Sequence, residues 1–131
     1  MLGDSKIAVA ITTTIALGMM AFHLWVVFDG APELFHFRGT HLLFALVLTF
    51  LWYPLFKDAT DGKLIATRAV DSFCIAGSIA VIGYLFVEHD YVLTRFAYVD
   101  DLRPLDAIFG VLIIILVLDS TRRLVGLALP I

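Results

Sequence analysis

Two histidines stand near the ends of separate apolar segments. His23 closes the first such segment and His41 opens the second. If the two segments form antiparallel helices, both imidazoles lie at a similar depth. Imidazoles from neighbouring helices can ligate a haem iron, and histidines at such positions also bond to lipid headgroups, backbone or water. The pair therefore leaves two interpretations open: a haem site, or hydrogen-bonded histidines at a membrane interface.

A second chemically suggestive group is an acid followed closely by two bases. Asp119, Arg122 and Arg123 have the i,i+3 and i,i+4 spacings that place side chains on one face of a helix. This pattern predicts an ion-paired helix end. The same charges are also suited to binding a larger subunit.

The sequence lacks the motifs of common catalytic and metal sites. It has no glycine-rich phosphate loop, Ser/His/Asp set or metal-ligand spacing. Its single cysteine, Cys74, excludes an internal disulfide. Carriers of polar substrates usually have ionisable groups or broken helices at the membrane midplane, and the apolar segments show neither. We therefore predict no enzymatic activity, no cofactor, and no substrate site within this chain.

The polar residues inside the apolar segments are mostly hydroxyls. Such side chains usually bond to their own helix or join neighbouring helices. These hydroxyl residues are Thr12, Thr13, Thr14, Thr49, Ser72 and Ser78.

Composition assigns the chain to the membrane class. Of 131 residues, 61% are hydrophobic and 16% charged, and the mean hydropathy is +0.98. Soluble domains are typically about half apolar and about a quarter charged. A net charge of -3 offers no basic surface for a nucleic acid.

The elements that position these residues are four apolar segments. An uncharged run of about 20 residues spans a hydrocarbon core as a helix, and the predicted helices cover about residues 7–28, 39–56, 70–88 and 104–121. Pro104 suits the first turn of the fourth helix. The sequence thus predicts an all-α fold, an integral membrane bundle of four transmembrane helices forming a single domain over residues 1–131.

Two of the connections between the predicted helices carry signals of local structure. Asp61-Gly62 indicates a turn, and Leu64, Ile65 and Arg68 are predicted to begin a helical extension into the third span. The stretch 88–106 is predicted to lie along the headgroups through Tyr91, Phe96 and Tyr98, or else to be a solvated loop.

Lysines and arginines are concentrated on one predicted side, and such residues favour the cytoplasm. The side with both termini contains Lys6, Lys57, Lys63, Arg68, Arg122 and Arg123; the other contains Arg38, Arg95 and Arg103. Both termini are therefore predicted to be cytoplasmic.

Two stretches carry a family resemblance. FRGTHLLFALVLTFLWYP, residues 37–54, and RPLDAIFGVLIIILVLDSTRRLVGLALPI, residues 103–131, together make up about a third of the chain. They resemble the small membrane component of tripartite ATP-independent periplasmic (TRAP) transporters of the TAXI type. Where that family often has Glu-Ala before Thr-Arg-Arg, this chain has Asp119-Ser120, which shortens the acidic arm.

The resemblance implies a role as a four-helix scaffold in the bacterial inner membrane. In that family a small component accompanies a large elevator-type carrier that imports organic anions, fed by a periplasmic substrate-binding protein. The expected partners are therefore these two proteins and membrane lipids. The alternative is a haem-binding membrane anchor subunit of a redox complex. The apolar stretch 124–131 resembles the start of a further helix in fused family members, so a separate subunit and the front part of a fused protein both remain open.

The resemblance also implies scaffold or subunit-interface positions. From the first stretch these are Arg38, His41, Tyr53 and Pro54. From the second they are Arg103, Asp106, Asp119, Arg122, Arg123 and Gly126.

Overall fold

The structure, a computed structural model, describes residues 6–55, 61–96 and 99–126. Its helices are α1 (Lys6–Asp29), α2 (Leu34–Trp52), α3 (Asp61–Val87), α4 (His89–Thr94) and α5 (Pro104–Val125). Four of them are long and apolar enough to cross a membrane. The predicted all-α bundle is confirmed, and the chain has the character of a multi-pass membrane protein.

The helix boundaries follow local chemistry. Helix α5 begins at Pro104, as predicted, since proline needs no hydrogen-bond acceptor in a first turn. Helix α2 begins at Leu34, before the predicted residue 39, and it ends at Trp52. Tyr53 leaves the helical region with φ −111° and ψ 89°, because a residue that precedes a proline is disfavoured in α conformation.

The predicted extension of the third span is confirmed, but the turn before it is wrong. Asp61 and Gly62 are the first residues of α3 instead. Part of the predicted headgroup segment is the short helix α4. Lys57, Tyr98 and residues 127–131, which entered the sequence predictions, lie outside the described residues.

Helix α2 is central to the packing. It contacts α1, α3 and α5, and α3 also contacts α5. Leu46 and Phe50 of α2 meet Leu116 of α5 in the buried core. Among the described helices, α1 contacts α2 alone. The bundle is therefore a three-helix core with α1 against one side.

The intramembrane hydroxyls behave as predicted where their bonds are seen. Thr49 donates to the Ala45 carbonyl and Ser78 to the Cys74 carbonyl, at 2.7 and 2.8 Å. Thr12 and Thr14 likewise donate to carbonyls four residues earlier. These bonds satisfy the hydroxyls within their own helices.

Candidate functional site

A buried ion cluster joins three helices at one end of the bundle, called here the Arg123 end. Arg123 on α5 donates from Nη1 to Asp71 Oδ1 on α3 at 2.5 Å and from Nε to Asp119 Oδ2 at 2.7 Å. The side chains of Arg123 and Asp71 are only 3% and 5% exposed. Charged groups buried this deeply are strongly destabilising unless they are paired with an opposite charge.

The same guanidinium also reaches the end of α2. Nη1 of Arg123 donates to the Tyr53 carbonyl at 3.0 Å, and the guanidinium carbon lies 4.8 Å from the centroid of the Phe50 ring. Nη2 of Arg123 is buried without a hydrogen-bond partner among the described residues. Arg123 thus connects α2, α3 and α5 at one point.

Arg122 differs from Arg123 in its surroundings. Its Nη2 donates to Asp119 Oδ1 at 2.6 Å, and its side chain is 39% exposed. Asp119 therefore accepts from both arginines, one on each carboxylate oxygen. The short aspartate arm is long enough to complete the ion pair predicted from spacing.

A second cluster lies at the opposite end, called here the Asp106 end. Asp106 accepts from the Tyr84 hydroxyl at 2.5 Å, the Tyr91 hydroxyl at 2.9 Å and its own N-cap backbone, Arg103 N, at 3.2 Å. The carboxylate therefore connects α3, α4 and the start of α5. Its negative charge also interacts favourably with the positive end of the α5 helix dipole.

Arg103 adds a second connection at the Asp106 end. Its Nη1 donates to Glu88 Oε2 at 2.9 Å, and its guanidinium lies 3.8 Å from the centroid of the Tyr91 ring. Desolvation would lower the pKa of Arg103, but the bond to Glu88 and the neighbouring acidic groups raise it. Desolvation and donation to Asp106 both raise the pKa of Tyr91. Arg103 stays cationic and Tyr91 neutral near neutral pH, so these contacts hold the short helix α4 in place.

A third group at the Asp106 end contains an acid and two histidines. Glu33 Oε2 lies 3.2 Å from His36 Nδ1 and 2.5 Å from His89 Nε2. On the far side of its ring, His89 Nδ1 lies 3.3 Å from Asp90 Oδ1. Desolvation would lower the pKa of His89, but its bonds to Asp90 and Glu33 raise it above the ordinary value. This group joins the start of α2 to α4.

His23 and His41 do come together, as their spacing suggested. His23 Nε2 and His41 Nδ1 are 3.0 Å apart, and His23 Nδ1 donates to the Met19 carbonyl at 2.7 Å. In neutral rings this makes His41 the donor and His23 the acceptor. Two haem ligands must stand on opposite faces of a porphyrin, but these rings are in direct contact. The arrangement does not fit a bis-histidine haem and matches the backbone-bonded alternative.

The remaining family-implied residues are more peripheral. Arg38 is exposed on α2, and Pro54 follows the helix end at Tyr53. Gly126 ends α5 with φ +84°, a conformation that favours glycine. A cavity of about 210 Å³ lies near Tyr84, Tyr91 and Asp106. Its volume is below the range typical of ligand pockets.

Sequence reasoning missed several partners. The sequence singled out neither Asp71, Glu88 and Tyr84 nor the group of Glu33, His36 and His89. One signal was present: in antiparallel spans, residues 53, 71 and 123 fall at the same membrane level. No sequence signal identifies which rotamers meet there.

Comparisons with models of known families, with curated proteins and with solved structures found no match to this chain.

Proposed function

We propose that this chain is the small membrane scaffold of a TRAP-type secondary transporter of the TAXI kind in a bacterial inner membrane. Its large partner would be an elevator-type carrier of organic anions, fed by a periplasmic substrate-binding protein. The chain itself would supply fixed surface and no catalysis.

The observation that carries the proposal is that the two stretches of the resemblance meet in space. Tyr53, in the first stretch, accepts a hydrogen bond from Arg123, in the second. Asp119, also in the second stretch, pairs with Arg123 and Arg122. Because residues of both stretches take part in the same contact, the two stretches form one structural unit. This supports interpreting both as parts of one family pattern.

The outer surfaces of the bundle are suited to a scaffold. Within the described part of the chain, helix α1 packs on α2 alone and exposes large apolar side chains such as Leu17, Leu24 and Val27. Helix α5 exposes Ile108, Val111 and other aliphatic residues. Lipid or a large apolar partner would cover such surfaces.

The test is mild detergent extraction of the tagged chain from its native host, followed by mass spectrometry. We expect a large multi-span membrane protein to co-purify, or to be part of the same polypeptide if the gene is fused. An absorbance scan distinguishes the redox alternative. Recovery without a multi-span partner, or with a haem spectrum, would overturn the proposal.

Arg122 provides the residue-level version of this test. Because Arg122 is partly exposed while Arg123 is buried, Arg122→Ala should reduce recovery of the partner several-fold without loss of the folded chain. Lys63→Ala, which removes an exposed cation from the same end, is the matched control. Equal recovery for both variants and the parent would remove Arg122 from the interface.

A further inference from the structure

The group formed by Glu33, His36 and His89 has the composition of a transition-metal site. One ligand atom from each residue lies within 4.8 Å of the other two. Imidazole nitrogens suit zinc and its first-row neighbours, whereas magnesium and calcium prefer oxygen ligands. Two histidines with one glutamate is a ligand set that binds zinc and leaves a fourth position for water.

Two separate elements bring the ligands together. Glu33 is the N-cap residue of α2 and His36 lies in its first turn, an i,i+3 spacing that places both side chains on one face. His89 comes from the start of α4. The group also lies at the surface, with Glu33 exposed and both histidines partly exposed, so an ion can reach it.

One of the distances in the group already matches a tetrahedral zinc site. Zinc bonds of about 2.0–2.2 Å place neighbouring ligand atoms about 3.3 Å apart. Glu33 Oε2 and His36 Nδ1 are already 3.2 Å apart. Glu33 Oε2 and His89 Nε2, at 2.5 Å, would separate by about 1 Å to admit the ion.

The second shell of the group points the same way. Asp90 Oδ1 faces Nδ1 of His89 at 3.3 Å, on the side of the ring opposite Glu33. Carboxylates in this position fix the tautomer of a metal-bound histidine and raise its basicity. Asp90 would thus orient Nε2 of His89 toward the metal.

We propose that Glu33, His36 and His89 bind one Zn²⁺ ion, with Asp90 as the orienting carboxylate. The ion would fasten α4 to the start of α2 at the Asp106 end. This site does not depend on the transporter assignment.

The test uses the full chain, purified in detergent with a tag that contains no histidines and stripped with EDTA. Titration with zinc chloride, followed by calorimetry and by metal analysis, should give one Zn²⁺ per chain, and magnesium chloride should give no binding. His36→Gln and His89→Gln should each weaken zinc affinity at least about tenfold. Asp90→Asn should weaken it by about 10–100-fold, as second-shell changes do.

His23→Gln is the matched control, because His23 belongs to the other histidine pair. It should bind zinc like the parent, and circular dichroism should show the same helix content for all variants. Absence of zinc binding by the parent would overturn the proposal. So would loss of binding in His23→Gln with retention in the His36→Gln, His89→Gln double variant.

Discussion

At the scale of single residues, Arg123 and Arg122 are adjacent in sequence but should contribute differently to the free energy of unfolding. Arg123 is buried against Asp71, so its removal leaves a buried carboxylate without its cation. Breaking a buried pair in this way costs about 3–5 kcal/mol. We expect Arg123→Ala to lower the free energy of unfolding in detergent by about that amount.

Two comparisons make this expectation specific. Arg122→Ala should cost only about 0–1 kcal/mol, because its guanidinium is partly exposed to solvent and Asp119 keeps its bond to Arg123. When added to Arg123→Ala, the substitution Asp71→Asn should recover part of the lost stability, since it removes the unpaired buried charge. Denaturant titration monitored by helix content measures these free energies of unfolding. Equal losses for the two arginine variants would contradict the different burial of Arg123 and Arg122.

The same residues show how far sequence reasoning reaches. The pairing of Asp119 with both arginines follows from helical spacing, and the structure confirms it. The pairing of Arg123 with Asp71 does not, because it depends on which faces of α3 and α5 meet. Likewise, the contact between His23 and His41 followed from their shared depth, whereas the group of Glu33, His36 and His89 required knowing where α4 begins.

At the scale of helices, the tightest surroundings among the described glycines are those of Gly39 on α2. A Cβ on Gly77 of α3 would lie 3.6 Å from Leu116 of α5, whereas one on Gly83 would meet no atom of the described residues within 4 Å. A Cβ on Gly39 of α2 would lie 2.7 Å from the Phe86 ring of α3. Periodicity locates helices well, but it does not tell which small residue faces a neighbour.

Gly39→Leu should therefore weaken the docking of α2 on α3. Overfilling a packed interface typically costs about 1–3 kcal/mol, and the midpoint of thermal unfolding in detergent should fall accordingly. Gly83→Leu makes the same chemical change at an open position of α3, where leucine improves helix propensity. A midpoint for Gly39→Leu as high as that of Gly83→Leu would show that Phe86 yields without cost.

At the scale of the whole molecule, the four long helices agree with the four segments inferred from charge-free runs, because hydrocarbon thickness sets both lengths. Orientation follows from a different property of the sequence. Lys63, Arg68, Arg122 and Arg123 belong to the Arg123 end, whereas Arg38, Arg95 and Arg103 belong to the Asp106 end. The positive-inside tendency therefore predicts that the Arg123 end faces the cytoplasm.

Cysteine labelling tests this orientation directly. In a Cys74→Ser background, Val99→Cys places a thiol at an exposed position of the Asp106 end, and Lys63→Cys places one at an exposed position of the Arg123 end. In intact bacterial spheroplasts, a membrane-impermeant maleimide should label the thiol at residue 99 and spare the one at residue 63. After permeabilisation both should react, which controls for thiol reactivity. Labelling of residue 63 alone in intact spheroplasts would show the opposite orientation, with the Asp106 end in the cytoplasm. The positive-inside prediction would then be wrong.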